Sequence, residues 1–314
     1  MGKNYKLKTD ALLHYDELST KIFLGTKCVE IFDDDQTYFS LLKKREWTLS
    51  DLPNDLVEVL IEHNLIIKNY THYYENSELD RNIYLIESLM DSRDPRSPID
   101  IQNTISNSRI LLLGVGGIGC VVLDNLLRLG IKDFFIVDSD IVDKSNLNRQ
   151  ILFTKDDVGL YKVDAVRDRL KLIYGNLNIE NSRDYIDNHS LLKSICIDYC
   201  PDFIINALDT PQNIERIIFD VSTLLEIPSI NCGVGINSGF WGPISIYPFV
   251  ESNKKYDKSP NLISKPIKGS LPTTNMMIGS MMCQDILQYF INPRIENLYY
   301  RKIFNFQTFE CEVI

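Results

Sequence analysis

Histidine and tryptophan are scarce, four and two in 314 residues, and no run of twenty apolar residues exists to cross a bilayer. There is no excess of basic charge. Against 33 Lys and Arg stand 43 Asp and Glu, a formal net charge of −10, and such a surface repels nucleic acid and anionic lipid. Residues 1–8 have no apolar core followed by a cleavage site, so no secretory signal is expected. The seven cysteines, at 28, 120, 196, 200, 232, 283 and 311, follow no regular spacing. This excludes a disulfide framework and predicts a cytoplasmic chain with free thiols. Cys196 and Cys200 have no second cysteine pair and no histidines beside them to complete a tetrahedral site, so no structural zinc is expected.

What is present is core material: 44% apolar residues with 24% charged, the composition of a folded globular chain. The length suits one large domain plus a smaller one. Over 3–32, short alternating segments bounded by Gly25 and Asp33-Asp34-Asp35 predict two or three strands joined by turns. Helical spacing begins at Thr37 and returns through Leu56, Val59 and Leu60, with Asp51 a candidate cap, before a strand-like Leu65-Ile66-Ile67. This order predicts a small winged-helix-like unit over 1–75. It has no basic run for DNA, and its free strand edge is suited to an extended peptide as an added strand. Residues 76–108 read as a polar linker broken by Pro95 and Pro98, with a helix around Arg81–Met90.

From Arg109 the pattern changes. Ile110-Leu111-Leu112-Leu113 is wholly apolar, as in the middle of a parallel sheet, and enters Gly114-Val115-Gly116-Gly117-Ile118-Gly119, then a helical run over Cys120–Leu129. Strand candidates recur at 134–137, 203–206 and 229–231, with helical patterns over 162–173 and 213–225 between them. Strand alternating with helix predicts an α/β, doubly wound sheet over 109–314. In the last third, 241–248 reads as strand, 251–272 as a flexible loop able to close over a site, 274–290 as a helix whose four methionines pack a core, and 299–309 as one or two final strands.

Three segments carry chemistry. After a buried strand, Gly114 permits a tight turn, Gly116 and Gly117 let a phosphate approach the backbone, and Gly119 lets the helix pack on the sheet. The free amides of that helix start favour an anion. Asp138 ends the next strand, where a carboxylate binds ribose hydroxyls; by itself this suits NAD as well as ATP. The segment Asp138-Ser139-Asp140-Ile141-Val142-Asp143-Lys144-Ser145-Asn146-Leu147-Asn148-Arg149-Gln150, together with Lys162, adds cations and amides. A triphosphate attacked at its α-phosphorus needs them, and a dehydrogenase does not. Asp209, in Asn206-Ala207-Leu208-Asp209-Thr210 beyond an apolar strand, is placed either to hold Mg2+ on ATP phosphates or to cap the helix that begins near Pro211.

Together, GVGGIG at 114–119, VDSDIVDKSNLNRQ at 137–150 and DDVGLYK at 156–162 resemble the ThiF/MoeB superfamily, a Rossmann-like adenylating fold that includes the ubiquitin-activating enzymes. The resemblance implies that Asp138 binds the ribose of ATP. It implies that Asn146, Arg149, Lys162 and, in a supporting role, Gln150 surround the phosphates, and that Asp209 takes magnesium. Arg81, in Asp80-Arg81-Asn82-Ile83, looks like the family arginine that reaches into the neighbouring subunit's site, which implies a homodimer. Within the superfamily the chain looks like the microcin C-type peptide adenylyltransferases, whose N-terminal peptide clamp matches the order of elements read over 1–75. The function so implied is ATP-dependent adenylation of a carboxylate on a small ribosomal precursor peptide. Two alternatives stand beside it: activation of a ubiquitin-like sulfur carrier, and a non-catalytic partner that captures a leader peptide. The paired CxxC zinc motifs of many relatives are missing, and no motif selects Cys196, Cys200 or Cys232 as an acyl-accepting thiol.

Overall fold

The computed structural model describes residues 4–246 and 269–314. The chain divides into two compact units, Met1–Thr104 and Ile105–Ile314.

The first unit holds two antiparallel three-stranded sheets. One is a meander of β2 (Leu12–Asp16), β3 (Ser19–Leu24) and β4 (Lys27–Phe32); the other places β1 (Asn4–Leu7) between β5 (Glu46–Thr48) and β6 (Ile66–Lys68). Four strands thus precede residue 33, where two or three were expected. Helices α1 (Thr37–Leu42) and α2 (Asn54–Glu62) close over a core that includes Leu7, Ile22, Leu42, Trp47, Leu56, Leu60 and Ile66. Asp51 does form a cap, but with Thr48 across the 3-10 turn Leu49–Asp51; α2 starts later, behind Pro53.

Residues 76–104, a linker by sequence, belong to this first unit and contain α3 (Asp80–Leu89) and the greater part of α4 (Pro98–Ser106). Buried polar contacts explain the attachment. Lys8, fully buried, donates from Nζ to the carbonyls of Ser88 (3.2 Å) and Met90 (2.6 Å) at the end of α3, where a cation complements the unpaired carbonyls. Burial brings the Lys8 amine down to about 8. Glu87 takes the Lys6 ammonium at 2.8 Å, the Thr9 N–H and the Tyr70 hydroxyl.

The second unit is built on one eight-stranded sheet, ordered β14-β13-β12-β11-β10-β7-β8-β9. Strands β7 (Arg109–Leu113), β8 (Asp133–Val137), β9 (Asn178–Ser182), β10 (Phe203–Asn206) and β11 (Ser229–Val234) run parallel. β12 (Ser238–Ser245), β13 (Lys302–Asn305) and β14 (Cys311–Val313) are added antiparallel. From β7 the chain builds outward through β8 and β9, then returns to lay β10 on the other side. This reversal makes the carboxyl ends of β7 and β10 the crevice where open α/β sheets bind ligands. β7 is apolar because helices cover both of its faces.

On one face α7 (His189–Tyr199) and α8 (Ile214–Leu225) bury Leu192, Ile195, Ile217, Ile218 and Val221 against Leu111, Leu113, Val137 and Ile204. α5 (Gly117–Arg128) packs on α9 (Pro272–Ile291) closely enough that a Cβ on Gly279 would stand 2.9 Å from Val121 Cγ1. α6 (Lys162–Tyr174) precedes β9. The methionine expectation needs correction. Only Met282 of the four is buried, Met276 and Met281 are exposed, and the inward stripe of α9 is Ile278, Met282, Ile286 and Leu287. Of the loop expected over 251–272, residues 251–268 lie outside the described residues, and Pro272 already begins α9.

Candidate nucleotide site

The glycine turn is built by backbone crowding. Gly114 leaves β7 at φ +92°, and a Cβ there would lie 2.8 Å from the carbonyl oxygen of Ala207, just past β10. No other residue fits that approach, which joins the ends of the two central strands. A Cβ on Gly119 would collide with the Gly114 carbonyl, and one on Gly117 with the Asn275 amide on the first turn of α9. Gly116 is free of such crowding; its nearest neighbour is Gln150 Nε2, 3.8 Å from the Cβ position. The start of α5 has no side-chain cap, so its amides are available to an anion.

Asp138, 5% exposed, stands directly after β8. Its Oδ2 accepts the Val115 N–H of the glycine turn at 2.8 Å, and its Oδ1 accepts the Asp140 N–H at 2.9 Å. Burial pushes its carboxyl above the ordinary carboxylate value, opposed first by the charge of Lys162 and then by those two N–H groups. Lys162 opens α6, almost buried. Its Nζ is 4.0 Å from Asp138 Oδ1 and 2.7 Å from Asp140 Oδ2, and the Asp140 side chain is 68% exposed. Lys162 thus lies beside the buried carboxylate that holds the turn, and its shorter contact is to a second carboxylate that water can take back.

Asn146, Arg149 and Gln150 come from one 3-10 turn, Lys144–Asn148, and the residues after it. Asn146 accepts the Asp143 N–H on its Oδ1 at 3.0 Å. Arg149 crosses beside Gly117, with Cγ 3.3 Å from the Cβ position there, and donates to Ser145 O (3.1 Å) and Asn148 Oδ1 (2.9 Å). Asp209 is exposed, beyond β10 and two residues after Ala207. Arg81 lies in the first unit, exposed on α3, where with Thr9, Asp10, Tyr84 and Leu85 it lines an open cavity of about 360 Å³.

Asn275 is a site residue that sequence reasoning misses. Its Nδ2 donates to Ser270 Oγ (2.9 Å) and Leu271 O (2.6 Å) while its Oδ1 covers Gly117, and Asn148 reaches Ser270 O at 2.9 Å. Its one sequence signal is an amide in the first turn of a methionine-rich helix. Among the described residues no group of three or more His, Cys, Asp and Glu is arranged to hold a metal. Burial pushes Cys120 and Cys196 up to about 12 and Cys232 higher still, which leaves them poor nucleophiles. No helix among the described residues is long and apolar enough to cross a membrane.

A reversal of strand order, a glycine turn at that reversal and a buried carboxylate after the next strand define a Rossmann-like nucleotide-binding protein. The chain belongs to the ThiF family, whose model matches residues 86–313. It is 31% identical over 200 residues to the adenylyltransferase and sulfurtransferase UBA4 of Vanderwaltozyma polyspora, covering 61% of this chain and 44% of that one. The chain spans at most half the length of the curated relatives it matches. In fold it is similar to E. coli MccB, at TM-score 0.79 and 19% identity, covering 99% of this chain and 93% of that one. It is similar also to MccB solved with ATP, at TM-score 0.76, 19% identity and coverage of 99% and 96%, and to the microcin C7 biosynthetic enzyme MccB in complex with N-formylated MccA, at 0.75, 18% and again 99% and 96%.

Proposed function

We propose that this chain uses ATP to adenylate a carboxylate on a small ribosomally made peptide, and that it works as a cytoplasmic homodimer without nucleic acid or membrane. The observation that carries the reading is the juxtaposition of Lys162, Asp138 and the glycine turn at the sheet's switch point. Membership of the ThiF family and a fold shared with MccB support it. The site roles rest on the same logic. The amides at Gly116–Gly119 receive phosphate, Asp138 the ribose, and Asn146, Arg149 and Lys162 the remaining phosphate charge, with Gln150 beside them.

The substrate carboxylate is already ionised and needs no general base. Its oxygen attacks the α-phosphorus, the bond to the bridging oxygen breaks, and pyrophosphate leaves with the electron pair. Arg149 and Lys162 offset the charge that builds on the phosphoryl oxygens, and Arg81 of a second copy adds to them. Mg2+ carried on ATP needs only one or two protein carboxylates. Asp209 is the residue that would hold it, and the ion would neutralise phosphate charge.

ATP–pyrophosphate exchange with candidate peptides tests this. Exchange that requires peptide and is lost in Asp209→Ala and Lys162→Ala is expected; full activity in both variants would remove the assigned roles. Likeness to UBA4 favours a second reading, activation of a sulfur-carrier protein at its C-terminus. Exchange driven by such a carrier and not by peptides would establish that reading instead.

A further inference from the structure

Leu113 of β7, Asn206 of β10 and Asn231 of β11 stand side by side in register across three neighbouring parallel strands, level with the switch-point crevice. Asn206 is 1% exposed and Asn231 7%. Asn206 follows Ile204 by two residues, and Ile204 packs in the α7–α8 core, so both amides lie on that face of the sheet.

The backbone sets the direction of each amide. The Leu208 N–H donates to Asn206 Oδ1 at 3.0 Å, so the other atom of that amide is Nδ2, which donates to Asn231 at 3.0 Å. The Asn231 atom that receives it is therefore Oδ1, and Asn231 Nδ2 points away. That Nδ2 has no hydrogen-bond partner among the described residues, and it is not sealed from solvent as Gln150 Oε1 is. Further along the same face the charged groups are matched. Gly233, two residues on, faces Phe240 of β12, and Arg301, whose guanidinium lies over that ring, pairs with Glu215 in the first turn of α8. A donor nine-tenths buried, fixed in direction and open at its tip is preorganised for an acceptor.

The reversal of strand order divides the crevice. Asp138 after β8, the α5 amides after β7 and Lys162 lie on the side assigned to the nucleotide. Asn231 lies on the other side, two strand spacings or about 10 Å from β7. A second reactant reaches the α-phosphorus from the side the nucleotide leaves free. An ionised carboxylate brings acceptor oxygens and no hydrogen, which is the complement of an amide donor.

We infer that Asn231 is a substrate-binding residue whose Nδ2 donates to one oxygen of the carboxylate to be activated. This rests on the adenylation reading. The second carboxylate oxygen attacks the α-phosphorus, the bond from phosphorus to the bridging oxygen breaks, and pyrophosphate takes the electron pair. The oxygen held by Asn231 becomes the acyl carbonyl. Asn231 orients the acid and moves no proton.

The test uses the full chain, a peptide that supports ATP–pyrophosphate exchange, and the same peptide with its activated carboxyl converted to a primary carboxamide. Binding of both forms is measured beside an ATP analogue whose α,β bridge cannot be cleaved. The unmodified protein should hold the acid about tenfold more tightly than the carboxamide, because a hydrogen bond to a charged group is the stronger. Asn231→Asp keeps an acceptor for Asn206 and turns the outward donor into an acceptor. The order should reverse there, since the carboxamide can donate and the acid is repelled. In exchange, kcat/KM for the acid should fall about a hundredfold, with KM for ATP unchanged. Asn231→Ala should lose the preference for the acid without reversing it. Equal affinity for the ATP analogue in all three proteins certifies the fold. An unchanged order in Asn231→Asp, or an unchanged ratio in Asn231→Ala, would overturn the assignment. So would a raised KM for ATP with the order intact, which would give the contact to the nucleotide or to Asp209. If no peptide supports exchange, the adenylation reading falls and this one with it; exchange with the order unaltered removes this one alone.

Discussion

Lys162 and Lys302 are both nearly buried, each within hydrogen-bond distance of a carboxylate, and they sit in opposite circumstances. Lys302 on β13 meets Asp285 of α9 at 2.6 Å, and the same carboxylate oxygen accepts the Trp241 indole N–H at 2.9 Å; Trp241 is the residue opposite Lys302 in the β12–β13 ladder. That cluster is closed, with side-chain exposures of 4% and 15% for the ion pair. Lys162 has one buried carboxylate at 4.0 Å and one at 2.7 Å that is mostly in water. Burial alone does not distinguish a structural lysine from one proposed to act on a ligand. What distinguishes them is whether the partner can leave at low cost, and only at Lys162 does the pair sit at the carboxyl end of a parallel sheet.

The contrast can be broken in four ways. Lys302→Ala should have the largest effect, a loss of about 3–5 kcal/mol in chemical denaturation because Asp285 stays buried and unpaired, with nucleotide affinity of the folded fraction retained. Lys162→Ala should reduce pyrophosphate exchange by about 10²–10³-fold, equivalent to about 2.7–4 kcal/mol of transition-state stabilisation. Its stability should fall less than that of Lys302→Ala, because Asp140 returns to water. Equal stability losses in the two variants would erase the distinction. Replacing both members of the closed pair, Lys302→Met with Asp285→Leu, should recover most of the loss, since a buried ion pair exchanged for apolar groups is often neutral. A double variant no better than the single one would show that the Trp241 contact matters more than the charges.

The smallest effect is in the pH dependence. Burial raises Asp138 and Asp285 above the ordinary 3.8, so in both cases the folded state holds the proton more tightly than the unfolded chain does. Their contribution is fully present below pH 3.8 and is lost as pH rises through the raised values. Asp138→Asn and Asp285→Asn should each flatten that decline in urea titrations run from acid upward. Saturating ATP should alter the slope carried by Asp138 and leave that of Asp285 alone; an ATP effect on both would contradict a separate role for the closed cluster.

What can be read from sequence tracks how local each cause is. The β7–turn–α5 unit is legible because its requirements lie within adjacent residues: an apolar run, then glycines at positions that backbone crowding dictates. The helices at 162–174 and 214–225 are equally plain from apolar spacing. The first unit is less so. Its second sheet depends on pairing Asn4–Leu7 with Glu46–Thr48 and Ile66–Lys68, contacts between distant segments that no local pattern encodes. The attachment of 76–104 is hidden for a similar reason, since it depends on Lys6 and Lys8 finding Glu87 and the end of α3. The helix α7 is absent from the sequence reading, although Asn188 caps it by accepting the Leu191 N–H. Asn275 is invisible because its significance comes from Gly117, far along the chain.

The crowding at Gly114 and Gly119 has a consequence for recognition. With the turn pressed against Ala207 on one side and the first coil of α5 pressed against the turn on the other, the cradle takes its shape when the chain folds and has little freedom left to lose. On the proposed reading, an anion that binds there is not opposed by the entropy of organising a loop. Preorganisation of this kind favours a rigid seat for the common part of the ligand and leaves adaptability to other parts of the molecule.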